Sequence, residues 1–233
     1  MSPNSVPVAI LIGYSTTGKS TLAKAFAEPA RAGTIKVLDT DKFISSDHGG
    51  HIYTIFLELV QGSNRDAALK YIEDGERSFL TSFSPLKPTL IVAGPNVVIR
   101  TPQWSDFCHR VTPLAFYLQI EAAEVYDGLK HRDEAASIEI GDHPALGSWN
   151  QDATTTYDTG EKRWIPLTRD DAIANIARNM AANIHAYEAA ALVEHRFRGG
   201  KELRENKAAQ QKIITSICSY LDASMAVPQV TAR

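Results

Sequence analysis

The hydrophobic pattern sets short apolar runs against longer amphipathic ones. Val8–Ile12, Ile35–Leu38, Thr89–Ala93 and Leu114–Leu118 are brief, nearly continuous apolar runs, the pattern of strands buried on both faces. Ala191–Phe197 reads as a final strand, and Gly199-Gly200 breaks it. Between these runs lie stretches with helical spacing. They are Thr21–Ala27, Arg65–Phe83 (Ala68, Leu69, Ile72, Phe79, Leu80), Pro102–Arg110 with its proline at N1, Glu121–Arg132, and Asp170–Ala190. Ile52–Val60 is apolar enough for a buried helix. Lys201–Asp222 is a charged helix with a stripe at Ile213, Ile214, Ile217 and Leu221. Strands that alternate with helices predict an α/β fold with a mainly parallel sheet.

The alternation fails in two places. Phe43–Gly50 is polar and loop-like; His48 and His51 lack a third ligand of matching spacing, so a loop is expected rather than a metal site. Residues 133–166 carry Gly, Pro, Asp, Thr, Trp149 and Trp164 with little periodicity. A compact domain seldom keeps so long an irregular run unless it is a lid, a binding loop or disordered. The tail from Ala223 reads as frayed.

Composition adds mostly exclusions. A chain of 233 residues suits one α/β domain with an elaboration. A net charge of -3 with no basic block speaks against nucleic-acid binding. No apolar run approaches the ~20 residues that span a bilayer, and Met1–Pro7 lacks the charged start of a signal peptide. Cys108 and Cys218 are far apart and form no C-x-x-C, against zinc and a disulfide framework. A cytoplasmic protein is the expectation.

Chemistry enters at Gly13-Tyr14-Ser15-Thr16-Thr17-Gly18-Lys19-Ser20, which fits G-x-x-x-x-G-K-[ST] between a strand and a helix. Glycines let such a loop turn its N–H groups onto phosphate oxygens. Lys19 can reach the β- and γ-phosphates, Ser20 can offer its hydroxyl to Mg²⁺, and the helix dipole adds to both. Ser15, Thr16, Thr17 and Thr21 complete the expected ATP contact. Asp39 and Asp41 follow the second strand, and period-2 geometry would put them on one side. At a strand's carboxyl end, near a phosphate loop, they suit a metal and a hydroxyl substrate; the alternative is an acidic turn that caps the next helix. Gly94-Pro95-Asn96 would line the same crevice. Next to a nucleotide, a lid over residues 133–166 would exclude water as phosphoryl acceptor. Its cationic candidates are His143, Lys162 and Arg163; Trp149 and Trp164 could cover a ligand or simply pack.

Three stretches resemble the shikimate kinases: Gly13–Ser20, Val37-Leu38-Asp39-Thr40-Asp41-Lys42-Phe43-Ile44, and Leu90–Val98, where that family carries a glycine-triplet turn. Weaker echoes are Phe116-Tyr117-Leu118, His143-Pro144-Ala145-Leu146 and Tyr187–Ala191. The resemblance, which covers most of residues 6–197, implies a P-loop three-layer α/β/α fold with a five-stranded parallel sheet of order 2-3-1-4-5. With the lid insertion read above, and an extra C-terminal helix that exceeds the usual family length, the expected division is a kinase-like domain at 1–200, including the lid at 133–166, and a C-terminal helix and tail at 201–233. The resemblance also implies transfer of the γ-phosphoryl of MgATP to a hydroxyl of a small metabolite. Lys19 would stabilise the transferring phosphate, Ser20 and Asp39 would serve the metal, and Asp41 would contact the substrate hydroxyl. Gly94, Pro95, Asn96 and His143 would line the substrate.

This chain also departs from that family. Pro95 and Asn96 replace two glycines of the triplet, and Pro95 has no N–H to offer. His143 stands where the lid arginine should, so Arg132 or Arg163 is expected to supply the fixed positive charge. Asn183 stands in place of a carboxylate-binding arginine, and Lys70 is the nearest match to the other. Shikimate itself is therefore weakened as the acceptor. The alternative is a P-loop ATPase or nucleotide-binding regulator with no small-molecule acceptor.

Overall fold

The computed structural model describes residues 6–27, 34–46, 65–99, 101–135, 155–158 and 163–225. The chain runs β1 (Val8–Ile12), α1 (Lys19–Phe26), β2 (Lys36–Asp39), α2 (Thr40–Ser45), α3 (Arg65–Ser82), β3 (Thr89–Val92), a 3₁₀ turn (Val97–Ile99), α4 (Thr101–Val111), β4 (Leu114–Gln119) and α5 (Ala122–Ala135). It continues through β5 (Thr155–Asp158), β6 (Arg163–Pro166), α6 (Arg169–Ala190), a 3₁₀ turn (Val193–His195), β7 (Arg196–Arg198), α7 (Lys201–Glu205) and α8 (Lys207–Met225).

Five strands form one parallel sheet in the order β2-β3-β1-β4-β7. Counted along the chain within that sheet, this is the expected 2-3-1-4-5. β1 lies at the centre and is buried along its whole length, because both faces are covered. Ala9 and Leu11 point to one face, where α1 (Leu22, Phe26) and α8 (Ile213, Ile214, Ile217, Leu221) pack. Val8, Ile10 and Ile12 point to the other, against Phe79 and Leu80 of α3, Phe107 of α4 and Tyr187 of α6. The period of two explains why a strand in this position has no polar residue. A third apolar cluster joins Tyr14 and Ile120 to α5 (Val125, Leu129) and α6 (Ile176).

The helices around β2 and β3 hold the second half of the crevice. Gly75 lets α3 approach α2 closely; a Cβ there would lie 2.7 Å from Ile44 Cγ2. Tyr71 Oη donates to Ile44 O at 2.7 Å across the same contact. Arg110 of α4 donates to Leu80 O at 2.5 Å and Phe83 O at 3.1 Å, satisfying carbonyls that the end of α3 leaves without intrahelical donors.

Three expectations are corrected. The final strand is short and begins at Arg196, because Val193–His195 takes a 3₁₀ turn closed by His195 N donating to Leu192 O. The stretch 133–166 is not wholly irregular: α5 extends to Ala135, and β5 pairs antiparallel with β6. Thr155-Thr156-Tyr157 and Trp164-Ile165 are strong strand formers. The helix expected over Lys201–Asp222 is two helices. Asn206 separates them, its Oδ1 accepting from Ala208 N at 3.0 Å and Ala209 N at 3.1 Å, the pattern of a helix N-cap. His48, His51 and Ile52–Val60 lie outside the described residues. Among the described residues, no helix is long and apolar enough to cross a membrane.

Asn206→Ala removes the cap of a helix that supplies five buried core residues, Ile213, Ile214, Ile217, Cys218 and Leu221. It should cost about 1 kcal/mol of stability, and Asn206→Asp should cost much less. Urea unfolding measures both; an alanine variant with the parental midpoint would show that the cap contributes nothing.

Candidate active site

The loop after β1 is made by backbone conformations that side chains resist. Gly13 has φ +143°, and a Cβ there would stand 2.6 Å from Leu118 O on the neighbouring strand. Gly18 has φ +97° and is the N-cap of α1, with no side-chain cap hydrogen bond. Thr16, a non-glycine residue, holds φ +62°. The first turn of α1 therefore presents its N–H groups without a capping side chain, which is the arrangement that binds an anion.

Lys19 is 9% exposed. Its Nζ donates to Gly13 O and Tyr14 O, both at 2.7 Å, and to Thr17 Oγ1 at 3.3 Å. Thr17 Oγ1 donates to Tyr14 O at 3.0 Å. The ammonium is thus folded under the loop, satisfied by carbonyls. Ser20, next in the helix, is exposed.

The acidic corner is built differently from the expectation. β2 ends at Asp39, and Asp41 lies in the first turn of α2. Strand periodicity therefore does not relate the two. Asp39 is the helix N-cap: its Oδ1 accepts from Asp41 N at 3.0 Å, and its charge complements the helix dipole. Thr40, fully buried, accepts from Gly94 N through Oγ1 at 2.7 Å. That bond ties the start of α2 to the end of β3 and brings Asp41 to the turn after β3. A Cβ on Gly94 would stand 3.0 Å from Asp41 Oδ1 and 3.4 Å from Glu76 Oε1.

Sequence reasoning missed Glu76. It is 2% exposed and lies on the buried face of α3 with Ile72, Phe79 and Leu80. The signal was present: a Glu on the apolar stripe at the i+4 position from Ile72 is expensive to bury unless it has a task. Tyr187 meets the same corner, its hydroxyl donating to Pro95 O. Burial raises the Tyr187 pKa most, with Tyr14, Tyr117 and Glu76 adding to it, so the phenol stays a donor. Tyr14 is also raised, by burial. Its hydroxyl is buried with no hydrogen-bond partner among the described residues.

Other candidates are placed elsewhere. Asn183 Nδ2 turns back on its own helix, donating to Asn179 O at 3.0 Å. Lys70 is exposed and pairs with Asp74 at 2.5 Å, so it is no substitute for a substrate-binding arginine. Arg132 lies in α5 and Arg163 opens β6. The side chains of both, and the whole of His143, lie outside the described residues, as do Trp149 and Lys162.

No family model matches the sequence, and no curated protein matches it. Solved structures do. Shikimate kinase from Bacteroides thetaiotaomicron superposes with a TM-score of 0.56 at 14% identity, over 93% of this chain and 98% of its own. Shikimate kinase from Acinetobacter baumannii, in complex with shikimate, gives a TM-score of 0.56 at 15% identity, over 95% and 96%. The chain has the shikimate kinase fold. In that fold the three site segments are neighbours by construction: Gly13, Asp39 and Gly94 lie at the carboxyl ends of β1, β2 and β3, which run parallel in the order β2-β3-β1. Crevices at such ends are where ligands bind in open α/β sheets.

The tightness of the loop is open to a direct check. Gly13→Ala adds both a strained φ and a contact with Leu118 O. The strain alone should cost roughly 1–3 kcal/mol, read as a lower urea midpoint. Parental stability would mean that β1 and β4 can separate to admit a methyl group.

Proposed function

We propose that this protein is a P-loop phosphotransferase that moves the γ-phosphoryl of MgATP to a hydroxyl of a small metabolite. The observation that supports this most is the meeting of two groups of residues on one sheet edge. An uncapped helix start with a buried lysine lies at the end of β1. A corner holding Asp41 lies at the end of β3, one strand away. A nucleotide site alone needs the first; an acceptor hydroxyl needs the second.

The residues present fit MgATP. Its bound form supplies the transferable phosphoryl group. The loop Gly13–Ser20, with Ser15, Thr16 and Thr17, would hold the phosphates, and Thr21 lies in the same helix turn. Lys19 would leave the carbonyls of Gly13 and Tyr14 to meet phosphate charge. Ser20 would hold Mg²⁺, and Asp39 would orient the metal's water shell while it caps α2. Asp41 would accept a hydrogen bond from the acceptor hydroxyl, position it, and receive its proton. Arg132 or Arg163 would provide the fixed positive charge of the lid. Gly94, Pro95, Asn96 and His143 would line the acceptor.

The acceptor end does not look built for a carboxylate. Pro95 offers no N–H and gives its carbonyl to Tyr187. Asn183 is turned away, and Glu76 brings a second carboxylate to the corner. An uncharged polyol, or an acid with its charge elsewhere, should compete well with shikimate.

The test is a screen of polyols and hydroxy acids with ATP, reading ADP release above the acceptor-free rate. Asp41→Asn should lower acceptor-dependent turnover by roughly 10²–10⁴-fold, the range for a positioned acid–base group, with ATP affinity nearly unchanged. Gly94→Ala should act in the same direction, because its methyl crowds the Asp41 carboxylate. Full acceptor-dependent activity in Asp41→Asn would end the kinase mechanism proposed. ADP release that no acceptor raises would favour the plain ATPase.

A further inference from the structure

A loop that turns its N–H groups toward phosphate turns carbonyls outward, and buried carbonyls need donors. The donors here come from two sources. Inside the loop, Lys19 Nζ serves Gly13 O and Tyr14 O. Outside it, the C-terminal segment serves Thr16 and Thr17 of the arch. Arg204 Nη1 donates to Thr16 O at 2.5 Å, and Gly200 N donates to Thr17 O at 2.9 Å. The same segment packs on the loop: a Cβ at Gly18 would lie 3.4 Å from Leu203 Cδ2 and 3.6 Å from Arg204 Cγ.

We propose that Arg204, far outside the phosphate-loop motif, is a positioning residue for the nucleotide, holding Thr16 in its left-handed conformation. The proposal rests on the nucleotide reading above. Thr16 is the loop residue that most needs holding. A β-branched residue at φ +62° is strained, and Thr and Ser are not among the types that visit this region freely. It is pinned from both sides. Arg204 takes its carbonyl, and on the other side Gly128 of α5 leaves room for its side chain; a Cβ on Gly128 would stand 2.8 Å from Thr16 Cβ. When Lys19 turns to phosphate, Gly13 O and Tyr14 O lose its ammonium. Thr17 Oγ1 still serves Tyr14 O, and the contacts from Arg204 and Gly200 hold Thr16 and Thr17 in place. A guanidinium bond to a carbonyl is charge-assisted and among the stronger single contacts. Removing it leaves a loop that must be ordered by the ligand at the expense of affinity.

Calorimetry with MgADP tests this without any acceptor. Arg204→Met keeps the aliphatic stem against Gly18 but loses the donor; MgADP affinity should fall roughly 10-fold. Arg204→Lys keeps a charged donor and should recover part of that loss. In a Thr16→Gly background, where glycine takes the same φ without strain, the effect of Arg204→Met should shrink, giving a measurable coupling. A role confined to fold stability would lower the unfolding midpoint of Arg204→Met and leave the affinity of the folded protein alone. If Arg204→Met fails to fold, Arg204→Lys and its coupling to Thr16→Gly carry the test. Lys19→Ala separates the two hypotheses. Parental MgADP binding by Arg204→Met, beside weakened binding by Lys19→Ala, overturns only the positioning role. Parental binding by Lys19→Ala overturns the nucleotide site itself.

Discussion

The constraint on which the rest depends is the reversed polarity of the loop after β1. Most turns face water and leave their carbonyls to it. This one is buried, with Gly13, Thr17, Gly18 and Lys19 all shielded, so each outward carbonyl must be met by protein. That requirement reaches far along the chain. It fixes Gly13 against β4, because only a residue without Cβ can lie beside Leu118 O. It draws in Gly199 and Gly200, where the chain leaves β7 and crosses the loop. It also places α7 and α8, since Leu203 joins Ile213, Ile214 and Ile217 in one core with α1. The last helix is therefore packed into the same core as the first.

Much of this was legible in the sequence, and the reasons are physical. The phosphate loop is local: eight consecutive residues, each with its own steric or charge requirement. The buried strands are legible because parallel strands leave no polar face. Strand order was not legible from periodicity, which carries no information on neighbours; it came through the resemblance. Asp39 and Asp41 were found, but their relation was misread, because a capping aspartate ends the strand one residue before the period-2 argument needs it to continue. Glu76 and Arg204 were missed for different reasons. Glu76 had a local signal, a carboxylate on an apolar stripe, but nothing in the sequence said which corner it joins; Arg204 meets Thr16, distant in sequence, and a single Arg in a helix has no local signature. The hairpin of β5 and β6 was hidden by the Gly- and Asp-rich context around it.

The two sides of the crevice are held in different ways. The side at the loop after β1 is built of backbone: loop carbonyls, glycine approaches and a helix start. Substitution there meets steric limits, so the motif survives intact. The acidic corner is built of side chains carried by helices. Asp41, Glu76 and Tyr187 come from α2, α3 and α6, joined through Thr40 to Gly94 and through Tyr187 to Pro95. A side chain there can change without moving the sheet. That asymmetry lets the acidic corner vary within one fold while the loop after β1 stays as it is.

Pro95 shows how such variation is accommodated. A glycine in its place would offer an N–H to a ligand; proline withdraws that donor and keeps only the carbonyl. The carbonyl is taken by Tyr187, whose ring stacks on Tyr117 of β4 with centroids 5.3 Å apart. The turn after β3 is thereby fixed to α6. Beside it, Tyr14 keeps a buried hydroxyl that no described residue meets, at a cost of roughly 1–3 kcal/mol when a buried donor goes unsatisfied. Tyr187 has given its hydroxyl hydrogen to Pro95 O, so the corner sets one unpartnered O–H donor, that of Tyr14, near the carboxylate acceptors of Asp41 and Glu76. Hydroxyl groups, which both donate and accept, are the chemistry that satisfies both kinds at once.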